Sequence, residues 1–240
     1  MPDQSSLKLL RKEAPVLSVG ILTADLLQLG SELRLLEDAG AKLVHIDVMD
    51  GVYCPRMTAG PPLIKAIKTR LLKDVHLMIA EPLGKVGEYV EAGADIVTIH
   101  PDATLHPHRV LQELGGMENA NERERGIIRG VALNPGTPLT VLEPLLDELE
   151  MVLLLAVNPG WGGQKFAPAM FGRIEQVKKM IEESGREILL CVDGGITKNN
   201  VAEVARSGAD IVVAGSAIFD GKAARENARL MLQAVAAAKG

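Results

Sequence analysis

Two apolar rhythms alternate along the chain. Short, nearly continuous runs of Val, Ile and Leu recur at 16–22, 42–48, 74–79, 94–100, 127–133, 151–157, 187–193 and 210–214. Runs of this length suit strands covered on both faces, as in a parallel sheet. Between them apolar residues return at helical spacing, as Leu33, Leu35, Leu36 and Ala39 do before Gly40. Strand–helix alternation over the whole chain predicts an α/β fold. A weak repeat strengthens this: Ala39-Gly40-Ala41-Lys42-Leu43-Val44, Ala92-Gly93-Ala94-Asp95-Ile96-Val97 and Ser207-Gly208-Ala209-Asp210-Ile211-Val212. In each, the glycine suits a left-handed helix cap and a buried strand follows at once. Eight strands with no linker of shifted composition predict a single (β/α)8 TIM barrel over residues 1–240, with residues 1–14 as an N-terminal extension. A doubly wound sheet is the rival arrangement.

Composition narrows the class. With 240 residues and 47% apolar content the chain can bury a large core, which excludes a disulfide-stapled miniprotein or a disordered tail. A net charge of −5 and only three Phe, two Tyr and one Trp leave no footprint for a nucleic-acid partner. Cys54 and Cys191 show neither a disulfide framework nor a zinc spacing. The opening Met1-Pro2-Asp3-Gln4-Ser5-Ser6 is polar and lacks a signal core. The purest aliphatic run, Val152 to Val157, falls far short of the roughly 20 residues a membrane helix needs. The expectation is a cytoplasmic protein with no membrane partner.

Polar residues at the ends of otherwise aliphatic strands carry the candidate chemistry. The second strand ends His45-Ile46-Asp47-Val48-Met49-Asp50-Gly51, where period two puts His45 and Asp47 on one side. The third carries Asp74-Val75-His76-Leu77-Met78, and the seventh ends Cys191-Val192-Asp193-Gly194-Gly195. Catalytic residues of such barrels lie at these C-terminal ends. His45, Asp47, His76 and Asp193 therefore read as a two-imidazole, two-carboxylate site for one divalent ion: zinc, iron, cobalt or manganese. The alternative is two unrelated core histidines and two loop-capping aspartates. Ionisable groups are rarely buried without a pair or a metal, which weighs against it.

Glycines suggest an anion. Asn158-Pro159-Gly160-Trp161-Gly162-Gly163-Gln164, Gly194-Gly195 and Gly215-Ser216 follow the last three strands. Glycine lets backbone N–H groups approach a phosphate, and barrels commonly bind phosphate in these loops. Met49 and Met78 read as core fillers beside the proposed ligands. His100, His106 and His108 lie in a proline-broken stretch that reads as a solvated segment, and Gly115 to Arg125 as a solvated loop or helix end.

Several segments in order carry a resemblance over about Val16 to Gly221: Ile21-Leu22-Thr23-Ala24-Asp25, His45 to Gly51, Asp74 to Met78, Ala132-Leu133-Asn134-Pro135, Val157 to Gln164, Val192-Asp193-Gly194-Gly195-Ile196 and Gly215-Ser216-Ala217-Ile218-Phe219. Together they resemble the ribulose-phosphate 3-epimerase family. The resemblance implies a metal-dependent (β/α)8 isomerase that interconverts D-ribulose 5-phosphate and D-xylulose 5-phosphate. It implies His45, Asp47, His76 and Asp193 as metal ligands, with Asp47 and Asp193 also the acid–base pair. Phosphate would lie against Gly160, Trp161, Gly162, Gly163, Gly194, Gly195, Gly215 and Ser216. Gly20, Met49, His76 and Met78 would line the rest of the substrate pocket.

Three positions depart from the family pattern. Gly20 stands where a serine usually meets the substrate, Leu155 where a methionine usually lies near the metal, and Arg56 where an asparagine follows the loop proline. Gly20 keeps open a 3-epimerase of a related ketose phosphate, such as allulose 6-phosphate or a tetrulose phosphate. The second strand has no lysine, which disfavours a lysine-centred decarboxylase or aldolase. A non-catalytic phosphate-binding barrel would not need both aspartates. Families on this fold commonly associate, so a homo-oligomer is expected.

Overall fold

A computed structural model describes residues 5–239; the opening residues 1–4, part of the polar N-terminal stretch, lie outside them. Eight parallel strands close into a barrel in chain order, which excludes the doubly wound arrangement. They are β1 (Val16–Gly20), β2 (Leu43–Met49), β3 (Leu72–Met78), β4 (Ile96–Ile99), β5 (Ile128–Leu133), β6 (Met151–Leu155), β7 (Leu189–Asp193) and β8 (Ile211–Ala214), with β8 pairing β1. Helices α1 (Ser5–Glu13), α2 (Leu29–Ala39), α3 (Pro61–Ala66), α4 (Val86–Glu91), α5 (Pro107–Gly115), α6 (Met170–Ser184), α7 (Val201–Arg206) and α8 (Ala224–Ala236) complete the frame. Between β5 and β6 there is only a 3-10 stretch, Leu139–Leu145, which contains Pro144. Proline supplies no N–H, so a regular α-helix is disfavoured there. No helix among the described residues is long and apolar enough to cross a membrane.

The repeated glycines behave as their motif predicts. Gly40, Gly93 and Gly208 take φ of 93°, 100° and 107°, a region that a side chain disfavours, and each turns a helix end into the next strand.

Strand parity sorts two cores. Outward residues such as Val19, Val44, Val75, Val97 and Val131 pack with Leu33, Leu36, Ile174 and other helix residues. Inward residues Val16, Leu43, Leu72, Ile96, Ile128, Met151, Leu189 and Ile211 fill the barrel near its N-terminal mouth. The N-terminal extension closes that mouth, because α1 buries Leu7 and Leu10 in the same cluster.

The segment from Gly115 to Arg125 is a helix end and loop that is solvated along most of its length, as its composition predicts, with one exception. Asn119 is buried and donates to the Asp95 carboxylate (3.0 Å) and the Gly126 carbonyl (3.0 Å). Arg125 adds an ion pair to Asp95 at 3.3 Å. A buried carboxylate needs such partners, and Asp95 is 1% exposed.

Candidate active site

Moving up the barrel, inward positions turn polar. Ser18, His45, Asp74, Thr98 and His100 are all buried. The register sets Gly20 beside His45, Asp47 beside His76, and Leu155 beside Asp193. Three strands thus deliver the four predicted donors to one place: one ligand atom each from His45, Asp47, His76 and Asp193 lies within 4.8 Å of the others.

Each histidine is anchored by its other nitrogen. His45 Nδ1 lies 2.7 Å from Asp74 Oδ2, which also accepts from the Ser18 hydroxyl at 2.9 Å. That leaves His45 Nε2 toward Asp47 (3.2 Å) and Asp193 (3.9 Å). His76 turns Nδ1 to Asp47 Oδ1 at 3.3 Å and Nε2 to His100 Nε2 at 2.9 Å.

The charges divide the two carboxylates. Burial alone would depress the His45 imidazole, but Asp74 and Asp47 hold it well above its ordinary value. Burial likewise opposes ionisation of Asp47, and His45 with His76 overcomes it, so its pKa falls. Burial dominates at Asp193 and pushes it up to about 6, helped by the neighbouring Asp47. Paired carboxylates driven apart in this way suit base and acid roles.

The residues fit a divalent cation. Two imidazole nitrogens and two carboxylate oxygens form a donor set such ions accept. His76 Nδ1 is buried and, although 3.3 Å from Asp47 Oδ1, makes no hydrogen bond among the described residues, so its lone pair could serve a cation. Asp74 behind His45 supplies the outer contact that orients a ligating imidazole.

Above the donors sits a cavity of about 230 Å3 lined by Gly20, Met49, Met78, Asp47, Asp193 and all eight predicted phosphate-loop residues. His76 stands behind these, fully buried. Gly195 shows why glycine is needed: at φ 67°, an added Cβ would stand 2.2 Å from the Phe166 nitrogen. The loop after β6 is tied by Gln164, whose amide accepts from Asn158 N–H (3.1 Å) and donates to the Asn158 (2.7 Å) and Trp161 (2.8 Å) carbonyls. Trp161 itself is 59% exposed at the cavity mouth. A larger cleft of about 660 Å3, lined by residues such as Arg11, Lys178, Arg206 and Asp210, lies away from these donors.

Several participants escape a motif reading. His100, expected in a solvated stretch, is 0% exposed and touches His76, because parity from Ile96 and Thr98 turns it into the barrel. His106 and His108 are exposed, as expected. Ser18 and Asp74 sit on inward positions of β1 and β3, a signal available from period two alone. Leu22, Thr23, Arg56 and Leu155 also line the cavity.

Known proteins share both sequence and shape. The sequence profile of the Ribulose-phosphate 3 epimerase family matches residues 16–219. The ribulose-phosphate 3-epimerase of Bacillus subtilis is 44% identical over 202 residues, covering 83% of this chain and 89% of that protein. The chloroplastic ribulose-5-phosphate-3-epimerase of Arabidopsis thaliana is 41% identical over 211 residues, covering 86% and 72%. Among solved structures, the 3-hexulose-6-phosphate synthase of Salmonella typhimurium superposes with a TM-score of 0.64 over 92% of this chain and 98% of that one, at 21% identity. That likeness speaks for the barrel alone.

Proposed function

The chain belongs to the ribulose-phosphate 3-epimerase family, and from this premise we propose that it interconverts D-ribulose 5-phosphate and D-xylulose 5-phosphate, with Asp47 and Asp193 exchanging the proton at carbon 3. It is an isomerase acting on a small phosphorylated sugar. The observation that carries the reading is convergence: four metal-type donors cluster together, and two of them, Asp47 and Asp193, line one cavity with three glycine-bearing loops at the C-terminal ends of the strands.

Inversion beside a ketone requires loss of a weakly acidic C–H proton and its return on the other face. Asp47, held ionised by the two imidazoles, is suited to take that proton. The electron pair of the broken C–H bond moves through the adjacent carbonyl carbon onto oxygen, giving an enediolate. Asp193, with its pKa raised to about 6, is suited to deliver a proton to the opposite face as the pair returns to carbon 3. The two residues exchange roles in the reverse direction, and proton exchange with water resets them. A divalent cation held by His45, Asp47, His76 and Asp193 would supply positive charge against the developing oxyanion. Each carboxylate has two oxygens, so one can face a cation while the other faces substrate. The loops Gly160–Gly163, Gly194-Gly195 and Gly215-Ser216 line this cavity, which supports a phosphate held by their backbone amides, with Trp161 shielding it from water.

Gly20 favours a second reading, a 3-epimerase of a related ketose phosphate such as allulose 6-phosphate. An added Cβ there would meet Gly215 Cα at 3.5 Å, an ordinary contact, so nothing in the packing demands glycine. Gly20 lines the cavity, so its missing side chain leaves more room for substrate there. The expected homo-oligomer draws support from exposed Leu27, Val52, Met57 and Leu105 in loops on the strands' C-terminal side, and sedimentation velocity tests it.

The test is a panel of ketose phosphates assayed after chelation and reloading with iron, zinc, cobalt or manganese. Highest kcat/KM for ribulose 5-phosphate supports the first reading, and highest for another ketose phosphate the second. Full activity after exhaustive chelation would contradict the metal site, and no epimerisation under any condition would contradict both readings.

A further inference from the structure

A phosphomonoester carries about −1.5 to −2 charges near pH 7. The cavity that would receive one is walled by two carboxylates, Asp47 and Asp193, and its phosphate loops offer backbone rather than side-chain charge. Among the described residues that line it, one side chain is cationic: Arg56, on the loop after β2. The family pattern has a neutral asparagine at this position, so the charge belongs to this chain.

The backbone that carries Arg56 is held from several sides. Asp50 accepts from the N–H groups of Val52 and Tyr53 (2.9 Å each) and of Ala80 (2.8 Å). The Thr58 hydroxyl donates to the Asp47 carbonyl at 2.6 Å and accepts from Met49 N–H at 2.9 Å. Arg56 N–H donates to the carbonyl of buried Cys54 at 2.9 Å. This loop abuts the loop after β6: Gly160 has φ 90°, and a Cβ added there would stand 2.7 Å from Pro55 Cδ and 3.0 Å from Cys54 Cβ. Two residues on, the guanidinium crosses Gly162, its two Nη atoms 3.5 and 3.9 Å from where a Cβ would be. Arg125, Arg129 and Arg186 each meet a carboxylate. The exposed Arg56 side chain, by contrast, makes no hydrogen bond or ion pair among the described residues, so its donors are unused beside the glycine loop.

We propose that Arg56 is a substrate-binding residue: its guanidinium, standing over Gly162, is the charged partner of the substrate phosphate. That the anion is a ketose phosphate rests on the function proposed above; that Arg56 and the glycine loop together hold a phosphate does not. The planar fork of N–H groups matches two phosphate oxygens at once, which a lysine ammonium cannot do. Backbone amides alone would fix the direction of the anion, and Arg56 adds the positive charge that offsets Asp47 and Asp193. The chain should therefore favour a phosphorylated ketose over the free sugar through this residue.

Two measurements on wild type, Arg56→Met and Arg56→Lys test it, with thermal unfolding to confirm that the variants fold. Inorganic phosphate is first titrated into the full chain without added metal, so that no cation can hold it, and followed by 31P NMR. Arg56→Met, which keeps the length of the stem, should bind phosphate ~5–20-fold more weakly, as expected for a charge-assisted contact partly open to water. Arg56→Lys should recover part of the loss. In metal-loaded protein, KM for ribulose 5-phosphate should rise by a similar factor in Arg56→Met while kcat changes less than about threefold. Phosphate that binds wild type no better than folded Arg56→Met would overturn the proposal. A raised KM with unchanged phosphate affinity would also overturn it, by placing Arg56 on the sugar. Wild-type protein that epimerises no ketose phosphate, yet loses phosphate affinity on Arg56→Met, would remove the proposed function while supporting the role of Arg56.

Discussion

Replacing Asp74 by asparagine changes the shape of the site very little and its electrostatics a great deal. Asp74 is fully buried and its Oδ2 meets both His45 Nδ1 (2.7 Å) and the Ser18 hydroxyl (2.9 Å). An asparagine carbonyl can accept both hydrogen bonds, so the fold should survive, but the acceptor loses its charge. A hydrogen bond to a charged partner contributes about 1.5–3 kcal/mol and a neutral one about 0.5–1.5. The variant should therefore bind a divalent ion more weakly by about 1–2 kcal/mol. At roughly 1.4 kcal/mol per decade that is a ~5–30-fold rise in Kd. Calorimetric titration of apoprotein with zinc or cobalt measures it, with circular dichroism confirming the fold. A folded Asp74→Asn protein with unchanged affinity would refute the claim that Asp74 tunes His45 as a ligand.

Three further outcomes follow from other parts of the molecule. Leu10 is completely buried in the plug that α1 places in the barrel mouth, so Leu10→Ala should cost ~2–5 kcal/mol in denaturant unfolding, and a cost under ~1 would contradict the plug. The Thr69 hydroxyl and Arg70 amide hold the Glu37 carboxyl below its ordinary value. A depressed folded-state pKa stabilises above the unfolded-chain value and is lost as pH falls through the folded one. Glu37→Gln should thus cost about 1 kcal/mol at pH 7 and progressively less below about pH 4, read from urea unfolding across pH; a pH-independent difference would contradict this. Gln164→Leu removes three hydrogen bonds that shape the loop bearing Trp161, and steady-state assays should show KM rising on the order of tenfold with kcat changed less; an unchanged KM would count against the loop's part in holding phosphate.

Much of this architecture can be read without coordinates because its periodicities are strong. Aliphatic runs such as Met151–Leu155 are covered on both faces and so show no polar parity to confuse them. The strand ends differ from the pattern by only a few residues: β3 starts at Leu72 rather than 74, and β6 stops at Leu155 rather than 157. The donors His45, Asp47, His76 and Asp193 stand out because polar groups in such strands are costly. His100 is less legible. It opens a His-Pro-Asp stretch whose composition signals a loop, and only counting inward from Ile96 and Thr98 reveals that it enters the barrel. Asn119 hides in a run of charged residues, and its burial depends on a partner, Asp95, that local sequence does not point to. Leu7 and Leu10 leave a fainter mark, one helical turn apart in a polar extension, and the cluster they join draws on all eight strands. Contacts between distant segments have no local periodicity to announce them.

The central claim is that Asp47 and Asp193 move a proton at carbon 3, and solvent exchange tests it most directly. Metal-loaded protein incubated with ribulose 5-phosphate in D2O should place deuterium at carbon 3, detected by mass spectrometry and NMR. Folded Asp47→Asn and Asp193→Asn variants should each fail to turn the substrate over. Absence of carbon-3 deuterium with the wild-type protein, or near-normal epimerisation by either variant, would contradict the account.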